Sequence, residues 1–141
     1  YSNDWKNNAG KVGKWGRQFN ICFGYQEGKA ETYCNTERFV IRVNAASLCS
    51  YTDWRLPSVA ELSGIINYER TEPAIDVSYF KYASNNGYWA ASPVAGSIGQ
   101  ARLVDFRFGH IRAANRDEPF HIRLVRGGPA STGQAVVGEG R

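Results

Sequence analysis

The sequence holds two histidines, three cysteines, no methionine and no long apolar run. Each scarcity excludes something. Without a stretch near the roughly 18 apolar residues that span a bilayer, the chain is expected neither to cross a membrane nor to carry a helical anchor. His110 and His121 fall on separate expected strands, and neither has Cys, Asp or Glu at ligand spacing. No metal or other cofactor is therefore expected. Charged residues reach only 21%, beside 43% hydrophobic and 13% aromatic content, so a disordered chain is excluded as well. The 141 residues suffice for one domain with a real core, which need not depend on disulfides or metal to fold. The first residue is Tyr1 and no apolar, positively headed leader follows it, so the chain is expected to be a processed or trimmed part of a longer product.

Three cysteines, Cys22, Cys34 and Cys49, allow three pairings and leave one thiol over. A helical pattern runs from about Cys34 to Cys49, and a helix of that length holds its ends roughly 20 Å apart, beyond disulfide reach. Cys22 and Cys34 instead flank the turn-rich stretch Gly24 to Gly28. The pairing expected is Cys22–Cys34, with Cys49 a buried small hydrophobe; the alternative is three reduced structural thiols. A disulfide would place the protein outside the cytoplasm.

The chain reads in three parts: a loop-rich strap over residues 1–33, a domain over 34–128 and a flexible tail over 129–141. In the first helix Phe39, Val40, Val43 and Ala46 share a face, and Asn35 or Thr36 can cap its start. Asp53-Trp54-Arg55-Leu56-Pro57 then leads into Ser58-Val59-Ala60-Glu61, where Ser58 and Glu61 form a capping box. Leu62, Ile65 and Ile66 continue that second helix, and Gly64 within it suggests close contact with a neighbouring backbone. Beyond Tyr68, Gly and Pro punctuate short aromatic and β-branched segments. Tyr88 to Ala91 reads as a strand, and so do the alternating runs Val104 to Phe108 and Phe120 to Leu124. Two helices followed by an antiparallel β-rich half make an α+β domain.

Val43-Asn44-Ala45-Ala46, Leu48-Cys49, Asp53-Trp54-Arg55-Leu56-Pro57, Glu61-Leu62, Tyr68, Pro73-Ala74-Ile75-Asp76, Tyr79-Phe80, Tyr88-Trp89, Ser92-Pro93 and Arg123-Leu124-Val125-Arg126-Gly127-Gly128 follow one another in order. This succession resembles the bacterial domain of unknown function 1566, also called the Legionella collagen-like adhesin C-terminal family, over roughly residues 34–128. The Arg-Leu-Pro-Ser-x-x-Glu-Leu stretch is also similar to a turn in formylglycine-generating-enzyme-like domains. The resemblance implies a C-type-lectin-like fold, with two helices packed on short antiparallel β-sheets and long loops. It also implies secreted, surface-attached or periplasmic proteins, some of them adhesins; the adhesin that names the family binds sulfated polysaccharide and forms trimers. The shared motifs read as structural, so none of that adhesin's binding residues transfers to this chain. Asp53, Trp54, Arg55, Pro57, Ser58 and Glu61 are expected to define a fold corner, Arg55 pairing with Asp53 or Glu61.

No catalytic residues are assigned. The carboxylate pairs Asp117-Glu118 and Glu69/Glu72 are neighbours in sequence, which does not set them across a cleft. A calcium-lectin site needs several oxygen ligands at once, and Glu72-Pro73-Ala74 lacks the Asn oxygen such lectins carry. Between Arg102 and Arg126 stand six arginines (102, 107, 112, 116, 123 and 126) against Asp105, Asp117 and Glu118, a local excess of three positive charges. Arginine's planar fork suits sulfate, phosphate or carboxylate, so Arg102, Arg107, Arg112, Arg116 and Arg123 are candidate ligand contacts. The bland alternative is a solvated outer face or internal ion pairs. Tyr79, Phe80, Tyr82, Tyr88 and Trp89 crowd a polar loop, and Tyr82 and Tyr88 join the candidate contact residues. The function expected is a non-catalytic extracytoplasmic adhesion or docking module for an anionic polysaccharide or a protein partner. The alternative is a structural subunit of a surface or envelope assembly. No nucleic-acid partner is expected, because no binding motif is present; homo-oligomerisation and membrane association through a partner stay open.

Overall fold

A computed structural model describes residues 2–3, 26, 28–32 and 35–128. Its elements run β1 (Ser2–Asn3), α1 (Thr36–Ala45), β2 (Trp54–Arg55), α2 (Val59–Ser63), β3 (Gly87–Val94), β4 (Ser97–Asp105), β5 (His110–Asn115), β6 (Phe120–His121) and β7 (Val125–Arg126), with 3-10 turns at Ala30–Thr32 and Leu48–Ser50. Asn35 starts α1 by accepting a hydrogen bond from the Arg38 amide at 3.0 Å. Ser58 starts α2 with a complete capping box: its hydroxyl accepts from the Glu61 amide, and Glu61 accepts from the Ser58 amide.

Five strands form one sheet in the order β1-β6-β3-β4-β5, and β2 pairs with β7 as a separate ribbon. All pairings are antiparallel except β3 with β6, which meet in parallel at Tyr88 and His121. Strand alternation divides the buried residues between the two sheet faces. Trp89, Ala101, Leu103, Ala114 and Phe120 cluster on one face, where Trp89 and Phe120 meet edge to face at 5.1 Å. Tyr88, Ala90 and Val104 occupy the other, covered by Leu62 of α2, Ile75 and Phe106. Ile65, Ile66 and Phe80 pack against this second cluster. The result is an α+β domain with its helices against a mixed sheet. Among the described residues no helix is long and apolar enough to cross a membrane.

Several local expectations are corrected. The first helix ends at Ala45 instead of running to Cys49, because the chain then turns through left-handed backbone at Ser47, Cys49 and Ser50. Cys49 is consequently an exposed free thiol, not a buried hydrophobe. The second helix stops at Ser63, and Gly64 forms its C-cap. A Cβ on Gly64 would meet only the carbonyls of Ala60 and Glu61, at 3.5 and 3.3 Å, so no neighbouring element presses on it.

The run Val104 to Phe108 is strand only to Asp105. The Asp105 carboxylate accepts from the Arg107 amide and its carbonyl accepts from the Gly109 amide, which closes a turn. Gly109 sits there at φ +78°, and an added Cβ would come within 2.8 Å of Ile66 Cγ2. Of the run Phe120 to Leu124, only Phe120–His121 is strand. The expected Cys22–Cys34 pairing, most of the strap and the tail lie outside the described residues.

Candidate functional site

Two constellations gather the polar residues singled out in the sequence. One is a corner that closes the chain on itself. Arg55 meets Glu61 with two parallel hydrogen bonds of 2.8 Å, and it also donates to the Gly127 carbonyl at 2.9 and 3.2 Å. Its hydrogen bonds hold the Glu61 carboxyl down to about 2 from an ordinary value of 4.5. Asp53 accepts from Arg126 and from the Gly127 amide, each at 3.1 Å, while Arg126 lies over the Tyr51 ring at 3.5 Å. Asn44 of α1 clamps the start of β2, accepting from the Trp54 amide at 2.8 Å and donating to the Trp54 carbonyl at 2.9 Å. Pro57 is buried, and its carbonyl accepts from the Ala91 amide of β3. Asp53, Arg55, Ser58 and Glu61 thus spend their polar atoms within the fold.

The other constellation centres on Arg123. Two cavities of about 460 and 310 Å³ share Tyr82 and Arg123 in their walls. The larger is walled on its apolar side by Val43 of α1, Leu48, Trp54 of β2, Ile122 and Leu124; the smaller by Tyr79, Phe80 and Lys81. The Arg123 guanidinium lies over the rings of Phe80 and Tyr88, 4.7 and 5.5 Å from their centroids. Its Nε is buried without a hydrogen-bond partner. Among the described residues, no carboxylate lines either cavity and none pairs with Arg123. Tyr88 is held in place because its hydroxyl accepts from the Ser84 amide at 2.8 Å. Tyr82, by contrast, is 97% exposed and Tyr79 is 83% exposed. A half-buried guanidinium flanked by aromatic faces, with no carboxylate paired to it among the described residues, favours an incoming anion.

The remaining arginines behave differently. Arg107 pairs with Glu72 at 3.0 Å, Arg112 with Asp105 at 3.1 Å, and Arg116 donates to the Gln100 carbonyl. The Glu72–Arg107 pair also engages the carboxylate that a lectin-type calcium site would need. Arg102, opposite Ala113, shares its sheet face with Val104, whereas Arg112, opposite Leu103, points from the other face. The structure brings Tyr82, Tyr88 and Arg123 together in one cavity, and Arg107 and Arg112 together in another of about 350 Å³ with Asn85, Asn86 and Asp105; Arg102 and Arg116 line neither. Trp89 is wholly buried and offers no contact surface.

Lys81, Val43, Leu48 and Trp54 were not foreseen as site residues. Val43 and Trp54 carried only structural signals in the sequence, and Lys81 carried none. Among the described residues no group of three His, Cys, Asp or Glu side chains could hold a metal ion. Residues 4–126 match the family model described as the Lcl C-terminal domain, a span that takes in the segment upstream of Cys34. No curated protein and no solved structure matches the chain.

Proposed function

The chain belongs to the Lcl C-terminal domain family, and from that premise we propose that it is a non-catalytic extracytoplasmic recognition module that takes an anionic group of its ligand on Arg123. Family membership supports a surface or adhesion-type module. The observation that carries the ligand reading is the Arg123 guanidinium, stacked on Phe80 and Tyr88 between two cavities and, among the described residues, lacking a carboxylate partner. Arg107 and Arg112 are paired with carboxylates and line a separate polar cavity with Asn85, Asn86 and Asp105, and Arg116 donates to a backbone carbonyl. Glycan and protein ligands both carry suitable acidic groups.

The test is retention of the whole chain on immobilised anionic ligands, a sulfated hexasaccharide and an acidic peptide, over a salt gradient. Arg123→Met should elute at lower salt than the native chain on at least one of them, because it loses a charge contact that salt screens. Arg102→Ala should elute with the native chain. Equal elution of Arg123→Met and the native chain on both supports would remove Arg123 from the reading.

A further inference from the structure

We infer that the outer edge of β5 is a dimerisation edge, which pairs antiparallel with β5 of a second copy of this chain about a two-fold axis at Arg112. This edge is separate from the groove that the two cavities form at Arg123, since no residue of β5 lines either cavity. The first support is which backbone groups the strand leaves open. In an antiparallel ladder, alternate residues spend both N–H and C=O on the same neighbouring strand. The Arg116 amide donates to the Gly99 carbonyl at 2.9 Å, one step beyond the Gln100–Asn115 pair. Counting back by twos, Ala114, Arg112 and His110 bond to β4, while Asn115, Ala113 and Ile111 direct their backbone groups away from it. Asn115 is satisfied locally: its amide donates to a Glu118 carboxylate oxygen at 2.8 Å, and its carbonyl accepts from the Glu118 amide at 3.0 Å. Among the described residues, the two N–H and two C=O groups of Ile111 and Ala113 have no partner.

The second support is that nothing guards this edge. Sheet edges are ordinarily blunted by short strands, bulges, proline or outward charge. The strand at the opposite edge, β1, is two residues long. By contrast β5 has six residues, in unbroken register with β4 and without proline or lysine. Its one arginine is drawn inward: Arg112 Nε donates to Asp105 at 3.1 Å, and the guanidinium lies over the Phe120 ring at 5.1 Å.

The third support is self-complementarity, which selects a second copy as the occupant. The open residues stand one on each side of Arg112. A two-fold axis there sets Ile111 against Ala113 of the second copy, and Ala113 against its Ile111. Each pair exchanges two hydrogen bonds, so every open group on both copies is satisfied. The next pair outward would be Gly109 with Asn115, but the Gly109 amide already donates to the Asp105 carbonyl, so the ladder stops at the same point on either side. Ile111, 43% exposed, then packs beside the small Ala113, a large side chain against a small one. Like charges directly opposite would repel, but each Arg112 at the axis is already neutralised by its own Asp105. The pairing joins two five-stranded sheets into one.

The experiment is sedimentation equilibrium of the whole chain over a wide concentration range in reductant, with a monomer–dimer equilibrium expected. Ala113→Pro removes an open N–H that the fold does not use, at an edge position where proline is tolerated. It should weaken association roughly tenfold or more. Ile111→Lys places a charge on the edge and should do the same, which keeps the test decisive if Ala113→Pro fails to fold. Register is read by oxidation and peptide mapping. Residues facing each other across a non-hydrogen-bonded pair have Cα atoms about 4.5 Å apart, within disulfide reach. Arg112→Cys should therefore link to its own copy at that position, and Ile111→Cys, which faces Ala113, should not. A monomer at every concentration with no such link overturns the inference. Association undiminished in both Ala113→Pro and Ile111→Lys, or linking at Ile111→Cys in place of Arg112→Cys, overturns it as well.

Discussion

Replacing Glu61 with Gln removes the negative end of the corner that joins α2, β2 and the Gly127 segment. In the folded chain this carboxyl titrates at about 2, against an ordinary 4.5, chiefly because of its hydrogen bonds to Arg55. A gap of that size corresponds to at most ~3.4 kcal/mol at neutral pH. The Glu61 side chain is 39% exposed, so solvent screening reduces the figure, and we expect a loss of about 1–2 kcal/mol. The sign follows from linkage: a carboxyl with a depressed folded pKa contributes stability above its unfolded value and loses it as pH falls through the folded one. Urea unfolding of the native chain and Glu61→Gln should therefore differ by about 1–2 kcal/mol above pH 6. The two curves should converge between pH 4.5 and about 2. A constant difference down to pH 2, or no difference at pH 7, would refute the assigned role of the Arg55–Glu61 pair.

Other predictions test the surrounding structure. Asn44→Ala should lower stability by about 1–3 kcal/mol in denaturant melts, since it strips both bonds from the Trp54 backbone. Gly109→Ala should cost about 2–4 kcal/mol in the same assay, combining left-handed strain with the approach to Ile66. Native protein treated with a maleimide should be modified at Cys49 without denaturant, read by peptide mapping; modification of Cys49 only after unfolding would contradict its exposure.

The corner was legible because its signals are short-range. Ser58 and Glu61 stand three residues apart and Arg55 six from Glu61, so spacing alone suggests the cap and one candidate pairing. Asp53 and Arg126 are 73 residues apart, and no pattern in the sequence joins them. The error at Val104 to Phe108 has a local cause: alternation continues through the run, but the Asp105 side chain bonds to the Arg107 amide and turns the strand. Phe106 still enters the core, now from a turn. The helical pattern overruns the end of α1 at Ala45 because Leu48 and Cys49 extend the apolar spacing, while the left-handed backbone at Ser47 carries no glycine to announce it.

The groove was only partly visible. Tyr82, Tyr88 and Arg123 each stood out as aromatic or cationic, but their meeting depends on the parallel contact of β3 with β6, where Tyr88 lies opposite His121. Val43 of α1 and Trp54 of β2, which complete the apolar wall beside Ile122 and Leu124, are distant in sequence from Arg123. Arginines counted along a chain give an excess of charge, and only the fold shows which of them carboxylates have already engaged.

The most direct test of the account is to follow the arginine side-chain resonances by NMR while the labelled chain is titrated with an acidic heptapeptide and with a sulfated hexasaccharide. The account predicts that the Arg123 guanidinium responds to a bound ligand first and most strongly, with Arg102, Arg107 and Arg112 little changed. Shifts spread evenly over Arg102, Arg107, Arg112 and Arg116 while Arg123 stays still would contradict it, and would return the binding function to a diffuse basic surface.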